Sequence, residues 1–153
     1  MVRLEQFSED EHGHLLKLPC PVFETTPFVS PITPEQARIA LVSTAGLHRR
    51  ADRPFAVGEA GYRLIPAGVD HDDLIMSHVS TNFDRTGFQL DLNMVLPLDR
   101  LKEMEEDGQI GSLAAYHYSF MGATDPRQME DEARTLAALL KYDQVDAVLL
   151  VPV

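Results

Sequence analysis

A chain of 153 residues, 44% hydrophobic and 24% charged, has the length and balance of one globular domain with a proper core. Its formal net charge of −11 argues against nucleic acid or an anionic membrane as partner, because both carry a field of the same sign. No run reaches the roughly 20 apolar residues of a membrane helix, the acidic amino terminus does not read as a signal peptide, and the single cysteine, Cys20, leaves no disulfide framework, so a cytoplasmic protein is expected.

Residues 1–18 are mixed and acidic, with a short apolar patch at Leu15-Leu16. Residues 19–34 hold Pro19, Pro21, Pro27, Pro31 and Pro34, which disfavour helix and predict an extended arm on the surface. Arg38 to Thr44 reads as a buried strand, followed by the small and polar Ala45-Gly46-Leu47-His48. Pro54 to Pro66, broken by Gly58 and Gly61, predicts a small hairpin, and Leu74 to Ser77 a second short strand leading into His78.

Pro97 suits the first turn of a helix, Leu98, Leu101 and Met104 share a face, and Gly108 is a good stop. A third strand is expected within Ile110 to Tyr118, ending at Ser119-Phe120-Met121-Gly122. Asp125-Pro126-Arg127-Gln128 starts another helix, whose stripe of Met129, Ala133, Leu136, Ala137 and Leu140 runs up to Lys141. After a polar bend, Val145 to Val153 reads as a strand buried within a parallel sheet. Alternating strands and helices predict an α/β fold: three layers, a mostly parallel sheet with helical crossovers, Rossmann-like or flavodoxin-like, behind a Pro-rich arm. The whole chain, 1–153, is expected to form one domain, with 1–34 as leader and arm and 35–153 as the α/β core.

Parallel strands bring the residues that follow them to one edge, where open α/β sheets bind ligands. Those residues are Ser43, Thr44, Gly46 and His48, then Ser77 and His78, then Ser119 and Gly122. They suit a pocket whose hydroxyls and backbone groups hold an anion or carboxylate, although Ser, Thr and Gly also punctuate ordinary turns. His78 and Asp84 could pair as a general base and its orienting carboxylate, or stand as an unrelated surface His and Asp. Asp91 and Asn93 read either as polar ligands or as residues that satisfy loose backbone groups ahead of a helix.

Six histidines invite a metal, but His12-x-His14 lies in the leader and the other four lack ligand spacing, so none is expected. A dinucleotide fingerprint, a Walker A loop and a nucleophile elbow are absent, and Cys20 sits between two prolines. The chain as written therefore offers no convincing nucleophile.

Several separated motifs nonetheless form a pattern. They are Ala40-Leu-Val-Ser-Thr-Ala-Gly-Leu-His48, Tyr62-Arg-Leu-Ile-Pro66, Ser77-His78, Phe83-Asp-Arg-Thr-Gly-Phe88, Asp91-Leu-Asn93 and Pro97-Leu-Asp-Arg-Leu101. Gly108-Gln-Ile-Gly111, His117-Tyr-Ser-Phe-Met-Gly122 and Val145-Asp-Ala-Val-Leu-Leu-Val-Pro-Val153 continue it. Across residues 38–153 the chain resembles the selenoprotein B family of glycine, sarcosine, betaine and D-proline reductases, and in particular its short, single-domain members. The resemblance implies that the last strand runs into a redox motif in which selenocysteine, or cysteine, stands three positions before a cysteine. Selenocysteine is encoded by UGA, which is also read as stop, so the resemblance predicts a chain truncated just before its redox residue. No cofactor is expected within the chain itself.

The implied chemistry is reductive: a selenolate, ionised at neutral pH, attacks the substrate, a partner cysteine resolves the adduct and a thiol reductant system resets the pair. From their strand-end positions, Ser43, Thr44, Gly46, His48, Ser119 and Gly122 are assigned to a small carboxylate-bearing substrate, and His78 and Asp84 to proton transfer. Two rival readings are a non-catalytic small-ligand binding domain and a subunit completed by a partner chain; a homo-oligomer is also compatible with the sequence.

Overall fold

A computed structural model describes residues 4–17, 22, 24–26, 28–80 and 85–153. The described part of the leader holds α1 (Glu9–Leu16), started by a capping box in which the Ser8 side chain accepts from the Glu11 backbone and Glu11 reaches back to the Ser8 N–H. None of its side chains is buried. The described residues of the proline-rich arm carry no regular element before a 3₁₀ turn at Pro34–Gln36 and are exposed; Pro19, Cys20, Pro21 and Pro27 lie outside the described residues.

The main sheet is organised by β1 (Arg38–Ser43). Along one edge it pairs in parallel first with β5 (Ser112–Leu113) and then with β6 (Tyr116–Ser119); along the other it pairs in parallel with β7 (Ala147–Val151) from Ile39↔Ala147 to Ser43↔Val151. β3 (Arg63–Pro66) closes the far side, antiparallel to β6. The sheet thus runs β3, then β5 and β6 end to end, then β1, then β7. α2 (Thr86–Leu90) is a short helix, and α3 (Leu98–Glu106) follows Pro97 and stops at Gly108, whose φ of 70° is the left-handed conformation glycine tolerates. Asp125 caps the 3₁₀ turn Pro126–Met129 by accepting from the Arg127 N–H, and α4 (Glu130–Tyr142) continues from it.

Side chains alternate across β1. Leu41 enters a cluster with Leu47, Ile65, Leu96, Leu98, Leu101 and Ile110, on the side of α3. Val42 enters a second cluster with Tyr118, Phe120 and Leu136, on the side of α4. Helices therefore cover opposite faces of a mostly parallel sheet, which is an α/β architecture. One margin of this sheet, β3, is antiparallel, and the strand opposite β7 is split into β5 and β6.

Five expectations change. The hairpin over Pro54–Pro66 does not form, because only Arg63–Pro66 is strand; the preceding loop is fixed instead by Glu59, which pairs with Arg53 and Arg63 at 2.8 Å each. Leu74–Met76 is strand, β4, but outside the main sheet: it pairs antiparallel with β2 (Leu47–Arg49), so His48 lies within a strand rather than in a loop after one. The third strand is broken at Ala114–Ala115. There the Leu41 N–H turns to the imidazole of His117, donating to Nδ1 at 3.0 Å in place of a backbone carbonyl. On α4 the expected stripe is only partly covered: Leu136 is buried and Met129 and Leu140 pack beside it, while Ala133 and Ala137 are exposed.

The fifth change concerns the terminal strand, which forms but is not buried. It is the sheet margin, with Val148 36%, Leu149 42% and Leu150 68% exposed. Apolar composition identified the strand; it could not reveal that the outer neighbour is absent from the described residues.

Candidate functional site

The carboxyl ends of β1, β6 and β7 meet in a tight crossing. The Thr44 N–H donates to Val151 O at 3.1 Å, the Gly122 N–H to Thr44 O at 2.8 Å, and the Val153 N–H to Thr44 Oγ1 at 2.8 Å. A side chain on Gly122 would place its first carbon 2.6 Å from Val153 O and 2.9 Å from Thr44 O. Only glycine lets Val153 lie against Thr44 here. Gly122→Ala should therefore destabilise the fold by about 1–3 kcal/mol, by the usual cost of overpacking. Urea unfolding measures this, and an unchanged midpoint would mean the crossing is loose in solution.

Past Thr44 the chain reverses through Ala45 and Gly46 into β2. Gly46 has a φ of 67°, and its N–H donates to Phe120 O at 2.8 Å. Its missing side chain admits the next segment: a Cβ there would lie 3.0 Å from the His78 nitrogen. The Ser77 N–H donates back to Gly46 O at 2.9 Å. The three strand-end segments named by the sequence thus converge on one edge.

Their side chains do not all face outward. Ser43 and Ser119 are fully buried. Ser43 Oγ accepts from the Ala45 N–H at 3.1 Å and Ser119 Oγ from the Leu47 N–H at 2.9 Å, so both hydroxyls fix the turn into β2. Thr44 and Gly122 are half-buried at the crossing. His48, 1% exposed, is held at both ring nitrogens, with Nδ1 2.7 Å from Arg49 O and Nε2 2.7 Å from Ser77 Oγ. Sequence reasoning placed Ser77 at the edge without giving it a role; a partner 29 residues away along the chain leaves no trace in local spacing.

His78 is buried, accepts at Nδ1 from the Ser80 N–H at 3.3 Å, and has its carbonyl held by the Arg85 guanidinium. Burial, and secondly the positive charge of Arg85, hold its pKa below the ordinary histidine range, which favours the neutral ring. Its expected partner Asp84 lies outside the described residues. Asp91 and Asn93 resolve as helix-approach residues: Asp91 accepts from the Asn93 N–H at 2.9 Å, and Asn93 Oδ1 accepts from the Asp99 N–H at 3.1 Å in the first turn of α3.

A cleft of about 270 Å³ lined by Ile32, Thr33, Gln36, Ala37 and Asp146 opens at the amino end of the sheet, away from this edge. Among the described residues no three His, Cys, Asp or Glu side chains converge as metal ligands, and no helix is long and apolar enough to cross a membrane.

Fold and edge together define an α/β domain whose strand ends gather hydroxyls, an imidazole and tight glycine crossings. Residues 4–153 match the model of the glycine/sarcosine/betaine reductase selenoprotein B family, and the chain belongs to that family. It is 33% identical over 129 residues to the D-proline reductase subunit gamma of Acetoanaerobium sticklandii, covering 81% of this chain and 52% of that one. It is 33% identical over 139 residues to the glycine reductase complex component B subunit gamma of Symbiobacterium thermophilum, covering 86% of this chain and 32% of that one. A betaine reductase complex component B subunit beta from Peptoclostridium acidaminophilum is 27% identical over 147 residues, 88% of this chain and 32% of its own. The chain thus spans between a third and a half of the length of these relatives. No solved structure matches it significantly.

Proposed function

We propose that this chain supplies the substrate-binding part of a selenol- or thiol-dependent reductase acting on a small carboxylate-bearing molecule. Its redox pair, selenocysteine or cysteine three positions before a cysteine, follows Val153 in the reading frame. The observation that carries the reading is the seating of Val153 between Thr44 and Gly122, which would deliver any following residue directly to the polar edge. The substrate, carboxylate included, lies against the edge at Thr44, Gly46 and Gly122, whose own N–H groups are donated within the fold, while Ser43, Ser119 and His48 hold the edge in shape. His78, with Asp84, handles the proton: a neutral imidazole accepts one when the attacking selenol or thiol ionises and returns it to the leaving group. An external thiol system resets the oxidised pair. Family membership supports the redox class, and the relatives' names, subunits of reductases and reductase complexes, support a partner subunit.

The test reads the frame past the Val153 codon and then expresses the extended chain with cysteine in place of any selenocysteine. The expected result is an in-frame UGA or cysteine codon, a second cysteine codon three positions on, and dithiol-dependent reduction of D-proline or glycine once partner subunits are added. A frame without such a pair overturns the reading. The bare margin of β7 favours the second reading, a subunit completed by a partner chain, if the isolated protein then forms a stable complex.

A further inference from the structure

Ser77, half-buried at the end of β4, has a hydroxyl held in one direction. Its position is set twice by the backbone: the Ser77 N–H donates to Gly46 O at 2.9 Å, and the Gly46 N–H donates to Phe120 O at 2.8 Å. Ser77 is thereby tied to the edge that holds Thr44 and Gly122. Its direction is set by His48. The Arg49 carbonyl, 2.7 Å from His48 Nδ1, can only accept, so Nδ1 carries the ring hydrogen. In the neutral ring Nε2 then holds a lone pair, and Ser77, at 2.7 Å, must donate to it. With its one hydrogen committed, the Ser77 oxygen offers only lone pairs to anything that arrives at the edge. The edge of the ring is further fixed by Phe55, whose centroid lies 6.5 Å away in an edge-on arrangement.

We infer that Ser77, oriented by His48, is a specificity-determining residue that accepts a hydrogen bond from the substrate's nitrogen, so that the site favours amines and ammonium groups bearing at least one N–H. This rests on the reading above and deepens it: a carboxylate alone would want donors, and Ser77 cannot be one. The substrate class it selects is a small amino acid with a protonated or N–H-bearing nitrogen, against the quaternary analogue.

The test is a methylation ladder of glycine, sarcosine, N,N-dimethylglycine and betaine, titrated into the ¹⁵N-labelled protein at pH 7.5. Binding is read from the amide resonances of residues 44–46, 77 and 120–122. The last step of the ladder adds one methyl and removes the final N–H. The dissociation constant should rise about tenfold at that step, in keeping with one hydrogen bond to a charged group at a half-buried site. In Ser77→Ala the ratio should fall close to one, and Ser77→Thr, which keeps the hydroxyl, should restore it. Imidazole ¹⁵N spectra should place the His48 hydrogen on Nδ1. A ratio near one in the native protein, a ratio unchanged in Ser77→Ala, or an Nε2–H tautomer overturns the inference while leaving the carboxylate-binding reading intact. Silence of those amides with all four ligands overturns both. If Ser77→Ala does not fold, the native ratio and the tautomer decide.

Discussion

Acidification from pH 7 to 4 should cost this fold about 3 kcal/mol through His117 alone. The ring is fully buried in β6, and Nδ1 is occupied by the Leu41 N–H at 3.0 Å. Nε2 has no hydrogen-bond partner among the described residues. Burial first, and the positive charge of Lys102 second, lower its pKa to about 4, with Asp143 opposing weakly. The sign follows from where the proton goes. The unfolded chain binds it near the ordinary value of 6.5 while the native state refuses it until about 4, so stability is complete above that window and declines as pH falls through it. His117→Asn keeps an oxygen to accept from Leu41 but cannot titrate. Urea unfolding at steps between pH 7 and 4 should show a much flatter loss in the variant. The remaining slope includes His78, whose pKa is shifted in the same direction. Identical pH profiles for variant and native protein would dismiss His117 as the source.

Leu41→Ala should be the most damaging of the simple truncations, at about 2–5 kcal/mol, because a fully buried leucine at the centre of the sheet leaves a cavity its neighbours cannot close. For a domain of this size each kcal/mol lowers the melting temperature by about 2–4 °C. Its control lies one strand over. Leu150, level with Val42 on β7, is 68% exposed, so Leu150→Ala should stay within about 0.5 kcal/mol. Parallel calorimetry of the two variants separates the alternatives. Comparable losses at both positions would mean that β7 is covered in solution, by another copy or by a partner.

What the sequence reveals of this fold is what local pattern encodes. The run Ile39–Ser43 is strand because four apolar residues, two of them the β-branched Ile39 and Val42, stand in a short block. α3 is helix because Leu98 and Leu101 recur on one face, and Asp125-Pro126 opens a turn through a side-chain cap and a fixed φ. What stays hidden depends on partners distant along the chain. The break at Ala114–Ala115 needs an imidazole in the strand gap, and β2 finds β4 across an intervening segment that carries Phe55 and contributes β3 to the other sheet. The exposure of β7 depends on a neighbour, which composition cannot report. The candidate edge follows the same division. Parallel strand ends place Thr44, Gly46 and Gly122 together from topology, whereas Ser77 and His78 reach that edge through the antiparallel pairing of β4 with β2, which the strand-end argument did not contain. That Ser43 and Ser119 turn inward, and that His48 aims the Ser77 hydroxyl, follows from hydrogen bonds made only after folding.

The central position of β1 also governs how the protein can be made. This strand is the first of the sheet to leave the ribosome, yet both its edges wait for segments far downstream, and the crossing that seals it joins Thr44 to Val153 across 109 residues. At a synthesis rate of about 5–20 residues per second, an apolar strand with open edges stands unguarded for roughly 5–20 seconds. Such long-range parallel pairing also closes slowly once the chain is complete. Yield in a cell should therefore respond to translation speed and to chaperone supply more than to the equilibrium stability of the finished domain.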